Sequence, residues 1–163
     1  METMTHNYMQ LRPKIALYEP DIPQNAAAII RTCSCLGADL EIIEPCGFLF
    51  SDKRFKRVVM DYMDKKMIKF YQSYDEFFKA KRNQRVVLIT TKASTSYDCF
   101  NFKINDTILF GRESAGVPEK IHNLVNKKLK IPMKNNKRSL NIASSVAIIL
   151  AESLRQNRFN HNG

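Results

Sequence analysis

Glycine is scarce in this chain, with five in 163 residues, and Gly163 is the last of them. No G-x-G-x-x-G run follows the first apolar segment and no Walker A sequence occurs, so neither a Rossmann dinucleotide site nor a phosphate-cradling P-loop can be assembled. Histidine is as scarce: only His6, His122 and His161 are present. A histidine base or a metal centre would rest on His122 alone, which reads as a helix-surface residue. The four cysteines, Cys33, Cys35, Cys46 and Cys99, form no C-x-x-C pair and have no matched histidines. Neither a zinc site nor a disulfide framework is therefore favoured. Cys33 and Cys35 read as packing residues, and free thiols fit a reducing, cytoplasmic compartment. No apolar run approaches the length of a bilayer, and the N-terminal stretch lacks the basic start and apolar core of a signal peptide. Residues 1–12 and 159–163 are expected to be tails around a single domain at 13–158, the first of them disordered.

What is present is a basic, moderately apolar chain, with 44% hydrophobic residues and a formal charge of +10. Basic residues cluster at Lys53, Arg54, Lys56 and Arg57, then from Lys79 to Arg85, then from Lys127 to Arg138. Such clusters attract polyanions and make binding salt-dependent, although a solvated surface of the same composition needs no partner. Short apolar runs at 14–18, 39–43, 67–71, 85–90, 107–110 and 128–131 read as strands. Helices are expected between them: one from Pro23, suited to a first helical position, to Leu36 before the stop at Gly37, and others at 75–82 and 118–123. The stretch 52–63 reads equally as helix or loop. A last helix, at about 140–157, carries Ile142, Val146, Ile149, Leu150 and Leu154 on a face broader than one packing stripe. Alternating strands and helices imply an α/β domain with a mainly parallel sheet covered on both faces.

Three strand-to-loop-to-helix junctions stand out. Thr107-Ile108-Leu109-Phe110 opens into Gly111-Arg112-Glu113-Ser114-Ala115-Gly116 and then Val117-Pro118, where glycine permits close backbone approach. Lys130-Ile131-Pro132-Met133 leads through a polar loop to Arg138-Ser139-Leu140-Asn141. Near the N-terminus, Tyr18 is followed by Pro20-Asp21-Ile22-Pro23-Gln24-Asn25 and a helix carrying Arg31. The ordered set P-x-N-x(5)-R, L-F-G-x-E-x-x-G-V-P, I-P-M and R-S-L-N resembles the SpoU branch of the SPOUT superfamily of S-adenosylmethionine-dependent RNA methyltransferases. More narrowly it is similar to the minimal single-domain enzymes that methylate the ribose 2′-hydroxyl of the tRNA wobble nucleotide. The likeness spans residues 15–156 and includes Ile43-Glu44-Pro45, Asp52-Lys53-Arg54, Asp61-Tyr62 and Thr90-Thr91-Lys92. It departs where the family usually has glycine two residues after the motif asparagine, since this chain has Ala27 there.

The resemblance implies a C-terminal trefoil knot, a homodimer with composite sites, tRNA as substrate, and no metal. It implies a pocket for S-adenosylmethionine, with S-adenosylhomocysteine as product, at Ile89, Thr90, Gly111, Ile131, Met133, Ser139 and Leu140. For Ile89, Ile131 and Leu140 core packing is an equally good account, and both can hold if main-chain groups make the contacts. By the same carry-over Arg31 activates the ribose hydroxyl, Asn25, Glu113, Ser139 and Asn141 position the reacting groups, and Lys53, Arg54 and Arg138 contact RNA. Two alternatives stay open: a 2′-O-methyltransferase for another tRNA or ribosomal RNA site, and an RNA-binding relative without catalysis.

Overall fold

Lys14–Tyr18 carries apolar side chains at consecutive positions, the pattern of a strand buried on both faces, and it forms β1. The computed structural model describes residues 11–59, 67–134 and 139–157. After β1 come α1 (Pro23–Leu36), β2 (Asp39–Ile43), α2 (Lys53–Val59), β3 (Ile68–Tyr71), α3 (Tyr74–Ala80), β4 (Val86–Ile89), β5 (Thr95–Ser96), β6 (Thr107–Phe110), α4 (Glu119–Leu124), β7 (Lys127–Lys130) and α5 (Ile142–Asn157). The strands make one seven-stranded sheet in the order β3-β2-β1-β6-β4-β7-β5, and every neighbouring pair runs parallel. Six of the strands lie where the apolar runs predict them. The pair Thr95–Ser96 does not, because two polar residues on β7 leave no periodicity to read.

Alternation along each strand divides the core into two layers. Ile15, Leu17, Ile108 and Phe110 face α1, α2 and α5, meeting Ile29, Ile30, Phe55, Val146, Ile149 and Leu150. Ala16, Tyr18, Leu88 and Leu109 face the other way, toward Phe77 of α3 and Ile121 of α4. The broad apolar face of α5 is absorbed here: Val146, Ile149 and Leu150 are buried, and Ile142 and Leu154 pack against the same layer. Gln156 and Asn157 at its end bond to the main chain of Phe100 and Phe102. Cys33 is buried, its thiol pushed up to about 12 by desolvation, whereas Cys35, expected to pack, is exposed one turn-face away. No helix among the described residues is long and apolar enough to cross a membrane. Apart from Leu11 and Arg12, residues 1–12 and 159–163, read as tails, lie outside the described residues.

This topology positions the site. β1 and β6 are neighbours, yet the chain leaves β1 toward β2 on one side and leaves β6 toward β7 on the other. Divergence of that kind opens a crevice at the C-terminal strand ends, the usual binding place of an open parallel sheet.

One polar contact lies inside the second layer. Lys81 donates to Glu41 Oε1 at 2.7 Å, both side chains nearly sealed from solvent, and Tyr71 approaches the same oxygen at 3.5 Å. A buried ion pair contributes little net stability, but removing one partner strands the other charge. Lys81→Met should destabilise the fold by about 3–5 kcal/mol, while Glu41→Leu combined with Lys81→Met should recover most of that loss. Urea denaturation of both variants checks this; equal losses would contradict it.

Candidate active site

The loop after β6 is shaped by what Gly111 lacks. A Cβ there would lie 2.5 Å from the Gly116 carbonyl carbon and 2.6 Å from its Cα. Gly111 is thus required by its own loop, in addition to forming part of the cavity wall. The Arg112 and Gly116 main chains exchange hydrogen bonds of 3.0 and 2.9 Å, and Gly116 takes φ 66°, a left-handed value that glycine adopts without cost. The tight turn leaves Glu113, Ser114 and Ala115 at its tip.

The loop after β1 meets that tip. The Asp21 amide donates to Glu113 Oε2 at 3.1 Å, and the Ser114 hydroxyl donates to Asp21 Oδ2 at 2.5 Å. Arg112 lies 3.6 Å from Glu19 and 3.8 Å from Asp21. Burial first, then the Asp21 carboxylate, raises the Glu113 carboxyl above its usual range, while Glu113 holds Asp21 below its own. Of the two carboxyl groups, Glu113 is therefore the one that ionises at the higher pH. Glu113 Oε1 is buried without a hydrogen-bond partner within the described structure.

Two helix starts complete the wall. Asn141 caps α5, its Oδ1 accepting from the Ala143 amide at 2.8 Å, a role to which asparagine is well suited. Its Nδ2 donates to Asn25 Oδ1 at 3.0 Å, in the first turn of α1, where Pro23 starts the helix with no side-chain cap. At the end of β4, Thr90 donates its amide to Leu129 O at 2.8 Å. The Thr90 hydroxyl lies 3.2 Å from His122 Nε2.

These elements enclose an open cavity of about 490 Å³, within the range of small-molecule sites. Its wall includes ten of the expected residues: Asn25, Ile89, Thr90, Gly111, Glu113, Ile131, Met133, Ser139, Leu140 and Asn141. Arg31 is exposed on α1 and is not among the lining residues. Six positions from Asn25 is about 240° round a helix, so it faces elsewhere. Lys53 is exposed at the start of α2, away from the cavity, and Arg138 and the Arg54 side chain lie outside the described residues. Ala27 packs against the core and is not part of the wall.

His122, expected on a helix surface, is half-buried in the wall. Burial, and then the charges of Lys92 and Lys128, depress its basicity. The last turn of α4 packs on the end of β4, a contact invisible in a six-residue helix read alone. Asp21, Arg112 and Ser114 also escaped sequence reading; the density of charged residues on both sides of these loops was the available signal.

The SpoU rRNA Methylase family model matches residues 12–151. A tRNA (cytidine(34)-2′-O)-methyltransferase of Beijerinckia indica is 45% identical over 144 residues, covering 87% of this chain and 90% of that protein. The Escherichia coli K12 protein of the same name is 36% identical over 144 residues, covering 87% and 92%. A solved structure described as giving insight into 2-OH methylation of C/U34 on tRNA superposes with a TM-score of 0.85 at 36% identity, covering 91% of this chain and 97% of that one. The family match takes in every element from β1 into α5, and with it the whole cavity wall; this chain belongs to the SpoU methylase family.

Proposed function

We propose that this chain transfers a methyl group from S-adenosylmethionine to the ribose 2′-hydroxyl of the wobble nucleotide, cytidine or uridine, in tRNA, acting in the cytoplasm. One observation carries this: a single cavity into which the loops after β4, β6 and β7 and the first turns of α1 and α5 all open, in a chain whose relatives bear that activity in their names.

The wall suits S-adenosylmethionine. Ile89, Ile131 and Leu140 offer apolar surface to an adenine, main-chain groups of three loops are at hand, and Glu113 Oε1 has no hydrogen-bond partner among the described residues. Bound there, S-adenosylmethionine supplies a methyl group activated by its positive sulfur and leaves as S-adenosylhomocysteine. A ribose hydroxyl is a poor nucleophile at neutral pH, so the chain must stabilise the developing oxyanion and hold it in line. Asn25, Glu113, Ser139 and Asn141 do the holding. Arg31 supplies positive charge, and its very high pKa makes it an electrostatic partner rather than a base.

Because Arg31 faces away from the cavity of its own chain, we assign it to the cavity of the partner subunit in a homodimer. Lys53, Arg54 and Arg138 are assigned to tRNA phosphates. A trefoil knot is supported by the placement of β7 between β4 and β5, both earlier in the chain, and by the bonding of Gln156 and Asn157 to Phe100 and Phe102.

Purified protein with total tRNA and labelled cofactor should form 2′-O-methylated pyrimidine at the wobble position, mapped by nucleoside mass spectrometry, with activity falling as salt rises. Methylation confined to ribosomal RNA, or none despite cofactor binding, would refute the proposal. Arg31→Ala should lower kcat by about 10²–10³-fold with nearly unchanged cofactor affinity by calorimetry. Gly111→Val should abolish cofactor binding itself, because the loop must open to admit the side chain. Co-expressed, the two inactive variants should recover about a quarter of wild-type activity, since random mixing makes half the dimers mixed and each holds one intact site. Verified mixed dimers that stay inactive would exclude Arg31 acting across the interface.

A further inference from the structure

We propose that Asp21 is a positioning residue of the transfer site, fixing Glu113 in the cavity wall and tying the loop before α1 to the loop after β6. The inference rests on the function proposed above. Asp21 is not itself part of the cavity wall, whereas Glu113 is. Two different groups of Asp21 grip the tip of the β6 loop: its amide holds Glu113 Oε2, and its carboxylate takes the Ser114 hydroxyl and lies beside Arg112.

The residue is also held by the loop after β2. A Cβ on Gly47 would fall 2.8 Å from Asp21 Cβ and 2.9 Å from its Cα, and the Gly47 amide donates to Pro20 O at 2.9 Å. The loop after β2 therefore packs directly on Asp21, with no room for a side chain at residue 47. Four residues beyond Asp21 lies Asn25, which bonds Asn141, so a shift of Asp21 would be felt at both helix starts.

The charges around this contact are unequal. Arg112 is the cation paired with Glu19 and Asp21, while Glu44 and Glu113 add further carboxyl groups, and Tyr18 and Cys46 flank them. The Cys46 thiol registers the surplus, pushed up to about 11 by burial first and then by Glu44, Glu19 and Glu113. Asp21 is thus the nearest negative neighbour that keeps Glu113 from ionising as readily as its burial alone would allow. Removing that charge must lower the pH at which Glu113 titrates.

The test is Asp21→Asn, which keeps size and hydrogen-bonding capacity and drops the charge. Carbon-13 NMR of labelled glutamate carboxyls, with the Glu113 signal identified by its loss in Glu113→Gln, should show the Glu113 midpoint moved to lower pH. The limb of the pH–kcat profile governed by Glu113 should move the same way, whichever form is active, with kcat lowered roughly ten- to a hundredfold and cofactor affinity retained. Asp21→Ser, smaller and neutral, should give the same shift where Asn disturbs folding. A Glu113 signal that does not move overturns the proposal, even in an active enzyme. The NMR measurement needs no turnover, so a wild type silent on tRNA overturns the functional reading alone.

Discussion

The approach of Gly111 to Gly116 is the constraint on which the site depends. With main-chain atoms of Gly116 about where a side chain of residue 111 would be, the loop after β6 can close only as a tight turn. That turn is what delivers Glu113 and Ser114 to Asp21. A looser loop would let these two polar contacts exchange with water, and hydrogen bonds that compete with water contribute about 0.5–1.5 kcal/mol each. Close packing of backbone supplies the rigidity that such contacts cannot.

Two helix N-termini converge on the cavity so shaped, and neither carries an acidic residue in its first turn. Each helix start bears a partial positive charge and unpaired amides, which acidic side chains in the first turn would ordinarily offset. Here the neutral Asn25 and Asn141 occupy that place and bond to one another. The field at this end of the cavity therefore favours an oxygen gaining negative charge, while the carboxylates of the neighbouring loops are drawn off toward Arg112.

Much of this was legible in the sequence for physical reasons. Parallel strands buried on both faces leave largely apolar runs, so β1, β4 and β6 could be read from the sequence pattern, and Pro23 and Gly37 bracket α1 as helix-end chemistry requires. The cavity wall was legible through the family resemblance, whose ordered motifs hold Gly111, Glu113, Met133 and Asn141. The rest depends on contacts between distant segments. Asp21 and Ser114 are 93 positions apart, Thr90 and His122 are 32 apart, and no local propensity encodes either meeting. Arg31 shows the converse limit: its motif spacing was plain, but only helical geometry reveals that it turns from its own cavity.

The rim of the cavity retains exposed apolar surface that the chain itself does not cover. Ile22 and Leu140 are each 40% exposed and both line the opening, one beside each helix start. Covering such surface is worth roughly 25 cal/mol per Å², a gain realised only when a ligand or substrate seats between them. Since Ile22 immediately follows Asp21 and Leu140 immediately precedes Asn141, closure over a ligand would bear on the Asp21 and Asn141 contacts at once. Apolar burial at the rim and polar alignment within are therefore coupled through the backbone, and a ligand that wets the rim poorly would also leave the reacting groups less well held.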